Sequence, residues 1–421
     1  MTNMKSSFFL SVIVLLLLAC TSSRDLNQQS RNLSYDREAT PFHPELYVYH
    51  TSDDSSTFYL KLDSRELLYA RKAPDAPFEA RLQIEVSIEK IEGFATIPVD
   101  SLSFRVIDQN NDQERRVVYS KQNFKLKEGD YRFDISITDL NRRWEQGHFV
   151  EVVKSASFSK EDFLWMDVDR DMPVFTPWLN EGRKLVLRSD RCNGDIAIEK
   201  WEAEESLPPP PYTNATPRYP SLPFPNPNPF SFTEDTLISE LGMTSLFIME
   251  KGTPRHIWTL PVRNPHFPKV ETVEQMMTAL RYISGRKEYE RIETSNYRKK
   301  EIDEFWLDCG GSKDRTRELI RIYYQRVEEA NVSFSSLLPG WKTDRGVIHI
   351  VFGNPNRIKH TPQSEIWIYG EENNLSSVTF EFIKTGDQLT DNHFVLERNP
   401  LFRPDWDRAV TAWRNGRIFQ E

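Results

Sequence analysis

The sequence predicts a multi-domain, β-rich chain that ends in an α+β domain. Apolar and polar residues alternate in short runs between Pro41 and Phe158, which is the pattern of half-buried strands. Ten prolines fall between Pro208 and Pro229, and the apolar spacing changes to a helical period after Glu271. From these observations we expect one or more immunoglobulin-like β-sandwich regions, followed by a helical segment and a smaller C-terminal sheet.

The first β-sandwich domain is expected over residues 41–158. Residues 82–88 and 131–139 carry apolar side chains at every second position, as strands with one buried face do. Gly129 and Asp130 form a turn signal just before the second of these runs. Several such runs separated by turns predict an antiparallel, immunoglobulin-like sandwich.

A second β-rich region is expected over residues 159–268, and it contains the proline-rich segment 208–229. The strands predicted in this region are residues 184–187, 195–199 and 245–249. Proline fixes φ and removes a backbone donor, so segment 208–229 should be extended. Aromatic residues punctuate this stretch, and they favour an arm packed on a neighbouring surface. They are Tyr212, Tyr219, Phe224 and Phe230. A ligand segment for a proline-binding module is the alternative.

The last region, residues 269–421, begins with helices. Thr272 and Gln275 have the spacing of a capping box and open a first helix, which Gly285 ends. Two further helices with apolar stripes are expected over residues 295–308 and 314–334.

A small sheet is expected after these helices. Residues 346–352 are apolar and rich in β-branched side chains, so we predict a strand there, followed by a turn over residues 353–356. The later elements are predicted strands at residues 365–369 and 377–382 and a closing helix at residues 405–413.

The N-terminus has the pattern of an export signal. Lys5 precedes an apolar run from Phe8 to Leu18, which is shorter than the roughly 20 residues that a spanning helix needs. Ala19 and Cys20 close the run and resemble the lipobox of bacterial lipoproteins. An ordinary signal peptide with an incidental cysteine is the alternative.

The lipobox resemblance implies that the chain is cut before Cys20 and that this cysteine carries acyl chains such as palmitate. Two acyl chains are enough for stable membrane anchoring. We therefore expect a signal peptide over residues 1–19 and a flexible tether over residues 20–40. Thr21, rather than Asp, follows the cysteine, which favours the outer membrane, facing the periplasm.

The charge of the chain argues against nucleic-acid binding. The formal net charge is −9 and the isoelectric point is about 5.6, whereas phosphate backbones require clustered Lys and Arg. The partners expected from the sequence are the membrane, through the lipid, and envelope proteins or glycan.

A short motif in the last region carries a family resemblance. Its residues are Gly340, Trp341, Thr343, Asp344, Arg345 and Gly346, followed by Gly353 and Pro355. This pattern resembles the GWxTD domain, and the chain resembles the GWxTD domain-containing lipoproteins of Bacteroidetes. Asn356 departs from the Asp that is usual there. The resemblance implies no established activity.

The motif residues have a structural and a functional interpretation. In the structural interpretation, Gly340 permits a backbone shape that other residues do not, and Trp341 buries a large ring. Thr343 and Asp344 hydrogen-bond local backbone N–H groups and shape a turn, after which Gly346 starts the strand. In the functional interpretation, Asp344 acts together with Arg345 in binding or catalysis.

Enzyme signatures are missing from the sequence. It has no Gly-x-Ser-x-Gly, His-Glu-x-x-His, Gly-x-x-x-x-Gly-Lys or Cys-x-x-Cys motif, and we expect no cofactor or metal. Two groups of acidic residues are interpreted as solvated: Asp167, Asp169 and Asp171, and Glu202, Glu204 and Glu205. Calcium binding is the alternative for the first group. His349 is expected to be a hydrogen-bonded sheet residue.

Two cysteines remain besides Cys20. Cys192 and Cys309 are interpreted as buried free thiols, although an exported protein could form a disulfide between them.

For the whole chain, the expected function is an interaction or binding module for envelope proteins or glycan. The alternative is an envelope hydrolase or glycan-modifying enzyme that uses carboxylates near the motif.

Overall fold

The computed structural model describes residue 35 and residues 40–419, except residues 94, 113, 223–224, 233–234, 362, 372–376 and 387–388. The predicted signal peptide and Cys20 lie outside the described residues. Within them, no helix has the length and apolar character to cross a membrane. The chain is β-rich, with several sheets and a helical C-terminal region, as the sequence predicts.

The first part of the chain is a seven-stranded antiparallel sandwich. Its strands are β1 (Glu45–His50), β2 (Ser55–Asp63), β3 (Glu79–Glu92), β4 (Ala95–Gln109), β5 (Val117–Lys125), β6 (Gly129–Asp139) and β7 (Trp144–Lys154). One sheet has the order β1-β2-β5 and the other β4-β3-β6-β7. Phe58 and Leu60 on β2 share one core with Ile84 on β3 and Phe133 on β6. The predicted alternation of buried and exposed residues is confirmed in β6.

A second sandwich follows and includes strands from both sides of the proline-rich segment. Its strands are β8 (Leu164–Asp167), β9 (Met172–Pro173), β10 (Leu179–Asn180), β11 (Lys184–Arg188), β12 (Ile196–Trp201), β13 (Asn228–Phe230), β14 (Leu237–Ile238), β15 (Gly242–Glu250) and β16 (Thr253–Arg263). The sheets have the orders β10-β16-β15-β12-β13 and β14-β11-β8-β9. Trp165 and Leu187 of one sheet and Leu246 and Leu260 of the other contribute to one core.

The C-terminal domain packs helices against a four-stranded sheet of order β17-β18-β19-β20. The helices are α1 (Val273–Ala279), α2 (Arg286–Thr294), α3 (Arg298–Gly310), α4 (Lys313–Phe334), α5 (Asp344–Phe352) and α6 (Arg403–Arg414). The strands are β17 (Arg357–His360), β18 (Ser364–Tyr369), β19 (Val378–Lys384) and β20 (Phe394–Leu396). Trp306, Tyr323, Trp367 and Trp413 are fully buried in this domain and form the centre of its core.

The prediction of a strand at residues 346–352 is wrong, because this segment lies in helix α5. All nine residues of α5 are buried. A continuous apolar run fits a fully buried helix as well as a fully buried strand, so periodicity cannot separate the two. The helix is selected by its ends, where Thr343 caps the N-terminus and the backbone N–H of Gly353 donates to the carbonyl oxygen of His349.

The helical predictions are otherwise confirmed, with one omission. The capping box at Thr272 is present, since its side chain accepts from the backbone N–H of Gln275 and the Gln275 side chain accepts from the backbone N–H of Thr272. Helix α1 ends at Ala279 and continues into a 3₁₀ turn, Leu280–Tyr282. Gly285 then serves as the N-cap of α2, a helix that the sequence patterns did not predict.

The proline-rich segment is a packed arm, as its aromatic residues predict. Tyr212 contacts Trp406 edge to face, with ring centroids 6.3 Å apart. Tyr219 contacts His393, with ring centroids 3.8 Å apart. The backbone carbonyl of Pro211 accepts a hydrogen bond from the backbone N–H of Asn399 at 3.1 Å. The arm therefore contacts the C-terminal domain at Pro211, Tyr212 and Tyr219, while Phe224 lies outside the described residues.

Cys192 and Cys309 are free, buried thiols in two different cores. Burial raises the pKa of the Cys309 thiol to about 11, so this side chain stays protonated at neutral pH. The expectation that Asp167 is solvated is wrong, because the residue is 4% exposed. Its carboxylate accepts from the backbone N–H of Asp169 at 3.1 Å and pairs with Arg183 at 3.1 Å. Within the described part of the chain, no group of three or more His, Cys, Asp or Glu side chains is arranged to hold a metal ion.

Candidate functional site

The motif forms a tight loop between helices α4 and α5. Gly340–Lys342 is a 3₁₀ turn, and Thr343 follows it as the N-cap of α5. The Thr343 hydroxyl accepts a hydrogen bond from the backbone N–H of Gly346 at 3.1 Å and donates to the carbonyl oxygen of Gly340 at 2.8 Å. One side chain thus ties the end of the turn to the start of the helix.

The glycines of the motif are required by close backbone contacts. A Cβ on Gly340 would lie 1.8 Å from the carbonyl oxygen of Ala330 in α4. A Cβ on Gly346 would lie 1.9 Å from the carbonyl oxygen of Gly340. The loop is therefore pressed between α4 and α5 with no space for a side chain at either position. Pro355, after the end of α5, is also buried.

Asp344, the first residue of α5, is 2% exposed and has its oxygens occupied. Its carboxylate forms an ion pair with Arg398 and accepts from the backbone N–H of Leu396 at 2.9 Å. The Tyr219 hydroxyl, from the proline-rich arm, donates to the same carboxylate at 3.3 Å. Arg398 also donates to the carbonyl oxygen of Pro209 at 3.1 Å. Asp344 therefore fastens the arm and strand β20 to the motif.

Arg345, the neighbouring residue, forms a second buried ion pair. Its guanidinium donates to Glu365 at 2.9 Å and to the backbone carbonyl of Asn392 at 3.1 Å, and it lies 4.0 Å from the ring centroid of Phe394. Burial alone would raise the pKa of Glu365, but the charges of Arg345 and His360 and the hydrogen bonds from Tyr35 and Arg345 hold it below its ordinary value.

Tyr35, which lies within the predicted tether, contacts the core of the C-terminal domain. Its hydroxyl donates to Glu365 at 2.6 Å. Its ring lies 4.9 Å from that of Phe334 and 5.8 Å from that of Trp367, measured between centroids. Burial, followed by the charge of Glu365, raises the pKa of Tyr35 well above its ordinary range. The chain is thus attached to the C-terminal domain fifteen residues after Cys20.

His349 lies in helix α5 and not in a strand, so that prediction of its position is wrong. The expectation of a hydrogen-bonded core histidine is confirmed, since its Nε2 lies 3.1 Å from a carboxylate oxygen of Glu329 in α4. Burial alone would raise the pKa of the Glu329 carboxyl, but the hydrogen bond and the charge of His349 lower it below its ordinary value. This contact joins α4 to α5.

The other side of the motif faces a cavity of about 420 Å³ between the second sandwich and the C-terminal domain. We call it the Trp341 pocket. Strands β15 and β16 line one wall, helices α1 and α4 line the other, and Trp341 and Lys342 lie between them. The indole of Trp341 is half-buried, and the Tyr282 hydroxyl donates to the Trp341 carbonyl oxygen at 2.8 Å. The motif thus reaches an open site through its second and third residues.

Glu205 is the central charge of the Trp341 pocket. Its carboxylate accepts from Arg263 at 2.5 Å and from Lys342 at 2.9 Å. Burial would raise the pKa of Glu205, but the charges of Arg263 and Lys342 hold it below its ordinary value. The expectation that Glu205 is solvated is therefore wrong, because the side chain is 26% exposed and bound by two cations.

Glycoside hydrolysis requires two carboxyl groups that flank a cleft about 5–9.5 Å apart, whereas the two carboxylates beside Thr343 and Arg345 are held in buried ion pairs. Asp344 and Glu365 are 2% and 1% exposed and occupied by arginines. Glu205 is held ionised, so it has no proton to donate at neutral pH. The geometry suits recognition by fixed charges better than acid–base chemistry.

Comparison with known proteins identifies the family of the last region. Residues 245–415 match the GWxTD domain family. The C-terminal region of this chain is a GWxTD domain. The match begins in β15, so it includes the last two strands of the second sandwich as well as the helices and the small sheet. No curated protein matches the chain.

Solved structures give only distant likenesses, which carry no argument about fold or function at their TM-scores. Bacteroides uniformis β-glucuronidase 2, covalently bound to cyclophellitol-6-carboxylate aziridine, is 11% identical over 33% of this chain, with a TM-score of 0.18. An intimin fragment in complex with the translocated intimin receptor is 10% identical, covering 85% of this chain and 95% of that chain, with a TM-score of 0.14. This chain spans 15% of the length of the β-glucuronidase.

Proposed function

We propose that this chain is a lipid-anchored binding protein of the cell envelope. In this proposal it is held on the outer membrane through Cys20, faces the periplasm, and binds envelope proteins or glycan through the Trp341 pocket. The observation that carries the proposal is the pocket itself, which is lined from two domains and contains charges locked in fixed ion pairs.

The arrangement of these charges favours binding over catalysis. Arg263 and Lys342 hold Glu205 from two sides, so its position is defined before any ligand arrives. Pre-positioned polar groups around a largely apolar cavity are typical of ligand sites, because they lower the entropic cost of binding.

The sequence around Cys20 supports the anchoring part of the proposal. A short apolar run followed by Ala19 and Cys20 is similar to the lipobox of bacterial lipoproteins. Metabolic labelling with an alkyne analogue of palmitate tests this. The wild-type chain should carry label and sediment with membranes, whereas Cys20→Ala should lose both properties. Equal labelling of the two chains would contradict lipidation at Cys20.

Site-specific photo-crosslinking in cells tests the binding part. Leu241 lines the Trp341 pocket and is 56% exposed, so a photoreactive residue at this position would face the bound partner. Leu401 is 78% exposed and does not line the pocket, which makes it the matched control. Reproducible adducts are expected at position 241 and not at position 401. Recovery of only the uncrosslinked chain at position 241 would contradict the proposal.

A further inference from the structure

The size of the Trp341 pocket limits what it can bind. Its volume of about 420 Å³ falls at the lower end of the range for small-molecule sites, roughly 300–1,000 Å³. A cavity of this size accommodates one or two sugar rings, or the end of a peptide, but not a folded domain.

The interior of the pocket is apolar with a ring at one side. The apolar lining residues are Met243, Val262, Phe267, Val270 and Val327, and Trp341 lies beside them. The C–H face of a pyranose ring packs against such surfaces, because it presents apolar hydrogens while its hydroxyls point outward. Gln275 supplies a donor at the wall, since its side-chain oxygen already accepts from the backbone N–H groups of Glu271 and Thr272.

Arg263 is held within the wall of the pocket. It lines the pocket, is 92% buried (8% exposed), and its two terminal nitrogens donate to Glu205 and to the carbonyl oxygen of Leu337. Its Nε is buried and has no hydrogen-bond partner among the residues that the structure describes. Because this Nε has almost no accessible surface, a ligand in the pocket does not reach it, and the exposed cation among the described lining residues is Lys269.

The charged side chains that line the pocket are three cations, Arg263, Lys269 and Lys342, and two carboxylates, Glu205 and Glu274. Lys269 lines the pocket, is exposed, and forms no ion pair with any described residue. The carboxylate of Glu205 is shared between Arg263 and Lys342, and Glu274 pairs with Arg298 at 2.8 Å. A ligand that brings its own carboxylate would neutralise this excess.

We propose that the Trp341 pocket binds an acidic sugar residue of a glycan, with the ring against Trp341 and the carboxylate on the side of Lys269. This inference rests on the proposed binding function and names its ligand class. A neutral sugar would leave the positive charge of Lys269 uncompensated. A peptide C-terminus also carries a carboxylate but lacks the flat face and the ring of hydroxyls that Trp341 and Gln275 match.

Titration calorimetry on the intact chain in detergent micelles tests the inference with matched probes. N-acetylmuramic acid and galacturonic acid carry a carboxylate, whereas N-acetylglucosamine and galactose are their neutral counterparts; trialanine represents a peptide terminus. The acidic sugars are expected to bind at least about tenfold more tightly than the neutral ones, because charge-assisted hydrogen bonds are about twice as strong as neutral ones. Equal binding of both sugar classes, or tighter binding of trialanine, would overturn it.

Two variants locate the effect in the pocket. Lys269→Gln removes the uncompensated cation and should abolish most of the preference for acidic over neutral sugars, while Lys287→Gln, an exposed lysine on α2 outside the pocket, should leave it intact. Both side chains are exposed, so neither change should affect folding. An unchanged preference in Lys269→Gln would refute the assigned position of the carboxylate.

The outcome also separates this inference from the broader proposal. Crosslinks at position 241 without sugar binding would retain a binding function and reject the acidic-sugar ligand. Absence of both crosslinks and sugar binding would reject both proposals.

Discussion

The two sides of the GWxTD motif use charged residues in opposite ways. After Thr343, Asp344 and Arg345 are almost fully buried and each has a dedicated partner, Arg398 and Glu365. Before Thr343, Lys342 shares Glu205 with a second cation at the border of an open pocket. The same short motif therefore contributes to two clusters. The closed cluster is Asp344, Arg345, Glu365 and Arg398, and the open cluster is Lys342, Glu205 and Arg263.

The difference indicates which motif residues are scaffold and which face a ligand. A buried ion pair stabilises only if both partners remain, since removal of one leaves an uncompensated charge in a medium of low dielectric constant. The closed cluster joins the arm, strand β20 and Tyr35 to α5. The open cluster joins two domains at one pocket, where a change of charge should affect recognition more than stability.

The largest effect on stability is expected when a methyl group is added at Gly346, on the side of the motif after Thr343. Gly346→Ala places a Cβ 1.9 Å from the Gly340 carbonyl oxygen and should lower the free energy of unfolding by at least about 4 kcal/mol, although alanine ordinarily favours helices. Urea denaturation measures this. Gly386→Ala is the control, since its Cβ would meet no atom within 4 Å. Similar stability of the two variants would show that the Gly340–Lys342 turn is not closely packed against α5.

The second test breaks the ion pair. Arg345→Met leaves Glu365 buried without its main counter-charge and should cost about 3 kcal/mol in urea denaturation. Adding Glu365→Leu to the same chain should restore part of the loss, because the uncompensated charge is then removed. Arg317→Met, in an exposed pair with Asp314, should change stability by less than about 0.5 kcal/mol. A loss for Arg317→Met as large as that for Arg345→Met would refute the distinction.

A third test uses His50, which is fully buried next to the second sandwich. Burial, followed by the charges of Lys154 and Arg191, lowers the pKa of His50 to about 4, even though a hydrogen bond to the Val153 carbonyl opposes this. The unfolded chain binds this proton near pH 6.5, so acidification favours unfolding, and the free energy of unfolding should fall by up to about 3 kcal/mol between pH 6.5 and 4.

The variant His50→Gln should show a smaller fall in stability than the wild type. The fall should not vanish, since burial also lowers the pKa of His148 to about 4 and that residue remains. The exposed His266→Gln should behave like the wild type. Urea denaturation at several pH values measures both. If the slope between pH 6.5 and 4 is the same in His50→Gln and the wild type, the histidine is not the group responsible.

The smallest effect is expected on the open side. Lys342→Met removes one of the two cations on Glu205, which remains bonded to Arg263, and should cost no more than about 1 kcal/mol of stability. Thermal and urea unfolding measure the change. A loss of about 3 kcal/mol would place the open cluster with the scaffold and remove the contrast between the two sides.

The strands and most helices could be predicted because their signals are local. Two-residue alternation in β6 and the capping box at Thr272 depend only on neighbouring residues. Helix α5 could not be distinguished from a strand, since its burial on every side erases the periodicity. The Trp341 pocket was not predictable, because Glu205 meets Arg263 and Lys342 from 58 and 137 positions away.

The attachment of Tyr35 determines how far the GWxTD domain can be from the bilayer. If Cys20 carries the lipid, as proposed, only fifteen residues separate the membrane surface from the contact with Glu365. A fully extended chain covers at most about 3.6 Å per residue, so this connecting segment spans no more than roughly 54 Å. The domain that comes last in the sequence would then be held within this distance of the membrane surface.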